Sequence, residues 1–174
     1  MEAVYLPVFW KKVETISQMN LPVMADSGEI FGIIDRTIVC FDFKNQPSAL
    51  LMLTTVNQSI RALTLCTKLP TLQLYLSTGN GQLWCYDIDL SRSESGAYNN
   101  ITKKEVGTYD SPACRLLTFT DEFSKQHVIA HTSLNSLYLD QCLITDLVVT
   151  AALVHRGTYL LFCTIDNRGN NLFY

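Results

Sequence analysis

The sequence predicts an all-β protein, and three observations carry that expectation. Short runs rich in Val, Ile, Leu, Thr, Tyr and Phe alternate with clusters of Gly, Asn, Ser, Asp and Pro, the punctuation of strands and turns. No segment holds a convincing helical period; the nearest, "DLVVTAALVH", is short and rich in β-branched residues, whose stiff side chains disfavour a helix. Finally, the chain repeats itself: "TIVCFDF" at 37–43 and "QLWCYDI" at 82–88 place Cys40 against Cys85, Phe41 against Tyr86 and Asp42 against Asp87.

Thirteen runs read as strands. The first six are "EIFGII" (29–34), "TIVCFDF" (37–43), "ALLMLTT" (49–55), "SIRALTLC" (59–66), "LQLYLST" (72–78) and "QLWCYDI" (82–88). Seven more follow: "KKEVGTY" (103–109), "CRLLTF" (114–119), "QHVIAHT" (126–132), "SLYLD" (136–140), "VVTAALV" (148–154), "TYLLFCTI" (158–165) and "NLFY" (171–174). In "QLWCYDI", Leu83, Cys85 and Asp87 share one side of the strand and Trp84, Tyr86 and Ile88 the other. Both sides are largely apolar, which predicts a sheet buried on both faces rather than one with a wet face.

Ile38, Leu83, Leu137 and Leu172 occupy equivalent places in successive units, at offsets of 45, 54 and 35 residues. A mean near 45 matches the period of propeller blades, about 40–45 residues. At each unit a strand, a short polar turn ("DR", "GNG", "SLN", "DNRGN") and a second strand recur, as expected for the second and third strands of a four-stranded blade. The longest offset contains "SRSESGAYNN" (91–100), expected to be an exposed serine-rich loop open to phosphorylation.

"STGNGQLWCYD" resembles the WD-repeat pattern, with Tyr86-Asp87 and Phe41-Asp42 standing where Trp-Asp would be and Tyr138 to Asp140 as a looser version. The resemblance covers roughly residues 22 to 174. It implies a β-propeller of four-stranded antiparallel blades, about four in this chain, forming an incomplete ring. It also implies a scaffold that binds other protein subunits within a larger complex. An incomplete ring would be completed by chain continuation or by a partner, packing on the strand Asn171 to Tyr174.

The 174 residues allow one domain with a real core. Hydrophobic residues make up 48% and charged residues 17%, outside the composition of a disordered chain. The formal net charge of −3 and pI of about 5.5 argue against direct nucleic-acid binding, which needs clustered Lys and Arg. No apolar run reaches the roughly 18 residues of a membrane-spanning helix, so no stable membrane insertion is expected. Cys40, Cys66, Cys85, Cys114, Cys142 and Cys163 are scattered through apolar runs without C-x-x-C spacing, so they read as small buried hydrophobes. Neither a metal nor another cofactor is expected. Apolar residues precede Lys11 and Lys12 in "MEAVYLPVFWKKVETI", the reverse of a secretory signal. A cytoplasmic or nuclear setting follows, and the sequons "NQS" and "NIT" read as chance matches.

Candidate binding residues come from the recurring turns and the connections between units. The turns offer Asp35, Arg36, Asn80, Asn135, Asn167 and Arg168, and the connections offer Asn57, Asp110 and Asp146. This polar set, mixed in charge, suits protein recognition. Two alternatives are weaker. His127 and His131 share one face of a strand and would serve an enzyme on an all-β framework if carboxylate or aromatic neighbours surrounded them. "LVHRGT" resembles the Arg-Arg-Gly motif of phosphoinositide-binding propellers, with His155 in place of the first arginine and Arg156 as the second. No nucleophile has a local signature such as G-x-S-x-G, and Asp42 and Asp87 read as structural strand ends.

Overall fold

A computed structural model describes residues 19–42, 50–68, 71–91, 98, 100–146, 148–155, 159–165 and 168–173. All the regular structure among them is β, in fifteen strands. In chain order these are β1 (Asn20–Met24), β2 (Ile30–Ile34), β3 (Thr37–Phe41), β4 (Leu50–Thr55), β5 (Ile60–Lys68), β6 (Thr71–Thr78), β7 (Gln82–Asp89) and β8 (Ile101–Thr108). They continue with β9 (Ala113–Thr120), β10 (Gln126–Thr132), β11 (Leu137–Leu139), β12 (Cys142–Thr145), β13 (Val148–His155), β14 (Tyr159–Ile165) and β15 (Asn171–Phe173). The near-helical "DLVVTAALVH" forms β13, as its β-branched content dictates.

Within each sheet every strand pairs antiparallel with its neighbour in sequence. The result is three four-stranded meanders and one of three strands: sheet I (β1 to β4), sheet II (β5 to β8), sheet III (β9 to β12) and sheet IV (β13 to β15). The four recurring polar turns each join the second and third strands of a sheet. In each turn one residue takes up a left-handed backbone: Asp35 (φ 52°), Gly81 (φ 85°), Asn135 (φ 68°) and Gly169 (φ 82°). Gly, Asn and Asp are the residues that adopt this conformation at least cost, which is why the repeat is visible in the turns.

Two strands lack a sequence signal. β1 contains Pro22 and is almost wholly exposed; it is an edge strand, where a missing N–H costs no ladder bond. β12, "CLIT", is also an edge and exposes Cys142, Leu143 and Ile144 on both faces. Without one buried face there is no alternation to read.

The described residues fall into two compact units, one within Met1–Asn57 and one within Gln58–Tyr174. In the first, Met19, Val39 and Phe41 form a core flanked by Ile30 and Ile34. In the second, sheets II and III stack face to face. Ala62, Tyr75, Leu83, Cys85 and Tyr109 from one side meet Ala113, Leu116, Val128 and Ala130 from the other. The opposite face of sheet III buries Ile129 and Leu137 with Leu117, Phe119, Leu139 and Phe162 of β14. Sheet III is therefore covered on both faces. The first strands lie side by side, β5 beside β9 and β9 beside β13, and the Thr118 hydroxyl donates to the Leu65 carbonyl at 2.8 Å.

Sheet II meets the two-faced expectation. Leu72, Leu74, Leu76 and Ile88 are fully buried on one face, and Leu83 and Cys85 on the other. Asp87 links β7 to β6 and β8. Its carboxylate accepts from the Gln73 amide at 2.6 Å and pairs with Lys104 at 3.2 Å. Burial pushes the Cys85 thiol up to about 11, so it is an inert core group.

Candidate functional site: the turn end of the stacked sheets

In an up-and-down meander the turn between strands two and three and the exit to the next sheet fall at the same end. In the second unit, hydrogen bonds stitch these segments together. The Gly79 amide donates to the Ser59 carbonyl at 2.8 Å, Tyr109 to Gly81 at 3.0 Å and Ser133 to Pro112 at 2.9 Å. The Ala113 amide donates to the Ser77 hydroxyl at 3.0 Å. These bonds use backbone groups that a bare turn would leave to water, so the end is a fixed surface.

On this frame sit several of the sequence-predicted residues. Asn80 accepts from the Thr78 hydroxyl at 2.6 Å and donates to Gln82 at 2.9 Å. Gln82 in turn receives Gln58 at 3.3 Å and donates to Glu105 at 3.4 Å. Asp110 accepts from Ser136 at 2.8 Å and from Ser111 at 3.3 Å, while Ser111 accepts from the Leu134 amide at 3.2 Å. Partial burial pushes the Asp110 carboxyl up, but the Ser136 and Ser111 hydroxyls outweigh it and hold the group below the usual carboxylate range. Asn135 lies exposed at the tip of its turn beside Leu134, which is 64% exposed.

The structure thus brings Asn80, Asp110 and Asn135 to one end. Asp146, exposed in the β12–β13 connection, belongs to the same end by topology. Asp35, Arg36 and Asn57 are exposed in the first unit. Arg168 is exposed in the β14–β15 turn; Asn167, Arg156 and residues 92–97 lie outside the described residues.

Sequence reading missed the cleft at this end. It has a volume of about 380 Å³ and is lined by Arg61, Pro112, Ala113, Cys114 and Ser133. Arg61 comes from β5 and Cys114 from β9, so the cleft lies where the first strands of the two sheets run together. Only the strand pairing between sheets creates it; no local pattern marks it. Arg61 and Cys114 are exposed, and the Cys114 thiol donates to the His131 carbonyl at 3.2 Å.

The two histidines lie elsewhere on sheet III, on the face toward β14. The His127 ring stacks on Phe119 at 4.9 Å. Its Nδ1 lies 3.0 Å from Asp140 and its Nε2 3.1 Å from Asp121. Both nitrogens are occupied, so neither is free to act as a base. Burial pulls its pKa down, but the bonds to Asp121 and Asp140 prevail and raise it. His131 behaves oppositely: burial, then Arg115, lowers its pKa, and its Nε2 is buried without a partner. Among the described residues no group of His, Cys, Asp and Glu side chains is arranged to hold a metal ion, and no helix is long and apolar enough to cross a membrane. No family model matches the chain, and no curated protein matches it.

Proposed function

We propose that the chain is a propeller-type β-sheet repeat protein, of the broad architecture to which WD repeats belong, and that it serves as a protein-binding scaffold within an intracellular assembly. The observation that supports this most is the packing of the second unit: consecutive meander sheets stack face to face with their first strands side by side. In such a stack the turn end is a rigid polar platform. Its groups are amides, hydroxyls and the Asp110 carboxylate, with the Arg61 cleft between sheets. That is a hydrogen-bonding surface suited to a partner protein.

A second contact belongs to the same reading. Sheet IV has three described strands where the others have four, and Phe173 of its edge strand β15 is 81% exposed. A strand from a partner protein could add to this edge.

The test is co-purification from cells that express the protein naturally, comparing the wild type with Asn80→Arg, Asn135→Arg and, at the opposite end of sheet III, Glu122→Arg. Loss of the same co-purifying subunit with the first two substitutions and not the third supports the turn end as the binding face. Equal retention in all three refutes it. For the edge, solution mass decides: a monodisperse monomer that unfolds cooperatively argues against a missing strand.

A further inference from the structure

The end of sheet III away from the binding platform carries a group that the scaffold reading does not use. His127 sits in β10, with its side chain only 13% exposed, between the β9–β10 turn and the β11–β12 turn. Asp121 from the first turn and Asp140 from the second each direct a carboxylate oxygen at one ring nitrogen, at 3.1 and 3.0 Å. A neutral imidazole has one N–H and one lone pair. It can satisfy one carboxylate, but the other would then face lone pair to lone pair. Only imidazolium donates to both. With both carboxylates ionised, the geometry therefore favours a protonated His127.

From this we infer that His127 is a proton-operated clip joining the two turns of sheet III, closed while the imidazole is charged and open when it is neutral. The charged groups facing the ring are Asp121 and Asp140, which favour the cation, and Lys125, which opposes it. Phe119 supplies the stacking surface, and Phe162 of β14 lies in the adjoining apolar cluster. The two carboxylates are not held alike. Asp140 is fixed on three sides: its other oxygen accepts from the Val128 amide at 3.0 Å, its own amide donates to Val128 at 2.7 Å, and its carbonyl accepts from Tyr109 at 2.9 Å.

Asp121 is anchored only within its own turn. It accepts there from the Phe123 and Lys125 amides at 2.9 and 2.7 Å. When His127 loses its proton, Asp140 keeps its place and the Asp121 turn loses its tie to the ring, keeping its internal bonds, among them the Asp121 amide to the Lys125 carbonyl at 2.9 Å and the Ser124 amide to the Asp121 carbonyl at 3.0 Å. That turn carries Phe123, 82% exposed at its tip. The clip thus fixes the position of an apolar group in a pH-dependent way. The sign follows from the raised pKa: the contribution is complete below the ordinary value of 6.5 and is lost as pH rises through the folded-state value.

The experiment is a pH titration of the whole chain by NMR, following the ring protons of His127 and His131 together with amide exchange at Phe123 and Lys125. His127 is expected to titrate above 6.5 and His131 below it. Protection at the two amides, corrected for intrinsic pH dependence, should fall about fivefold as His127 deprotonates, the equivalent of one net hydrogen bond. In Asp121→Asn the His127 titration should drop toward the ordinary value and the pH dependence of protection should vanish. The wild-type titration alone decides if that variant fails to fold. His127 titrating at or below 6.5, or protection unchanged across its titration, overturns the inference.

Discussion

Replacing Leu83 by Ala probes the packing on which the account rests. Leu83 is fully buried in β7 and belongs to the cluster shared by sheets II and III. The substitution deletes three carbons, worth about 2.4 kcal/mol at about 0.8 kcal/mol per buried methylene. A residual cavity of about 50 Å³ adds about 1 kcal/mol. The expected loss is therefore about 3–4 kcal/mol, a fall in Tm of about 6–16 °C for a chain of this size. Leu143→Ala, at a residue 54% exposed on the β12 edge, should cost less than about 0.5 kcal/mol. Urea unfolding of both variants gives the magnitude, and hydrogen exchange at β6, β7 and β10 gives the location. A loss below about 1 kcal/mol for Leu83→Ala, or equal losses in the two variants, would refute the face-to-face stacking.

Gly81→Ala places a methyl group 2.9 Å from the Tyr109 carbonyl oxygen in a backbone at φ +85°. It should destabilise the turn end by about 1–3 kcal/mol, and thermal melts near wild type would contradict that close approach. Ser136→Ala removes a hydroxyl that holds Asp110 ionised, so carboxyl NMR should show the Asp110 pKa rising toward 3.8. Because the folded-state value is lowered, its contribution is present above the unfolded pKa and lost as pH falls through the folded one. Thiol labelling of the native chain should be fast at the exposed Cys114 and Cys142 and slow at the buried Cys40, Cys85 and Cys163; fast labelling of Cys85 would contradict its burial.

Much of this architecture is legible in the sequence because it is local. Left-handed turns at Asp35, Gly81, Asn135 and Gly169 need particular residues, and strands such as "QLWCYDI" announce burial on both faces by carrying apolar residues at successive positions. β1 and β12 escape notice because exposure on nearly all sides leaves composition without a pattern. The platform residues Asn80, Asp110 and Asn135 follow from knowing which turns share an end. The Arg61 cleft does not, since Arg61 and Cys114 become neighbours only when β5 and β9 run together. His127 stands out as a residue, but its role depends on carboxylates 6 and 13 positions away that only the meander's two turns place around the ring.

The most direct test of the proposed binding face is photo-crosslinking from single positions in the intact chain within its native cells. A photoreactive side chain at Asn80 or Asn135 should capture one and the same partner protein, and the same group at Glu122, on the opposite end of sheet III, should not. Capture of that partner from position 122 with none from 80 and 135 would contradict the assignment of the turn end as the scaffold's binding surface.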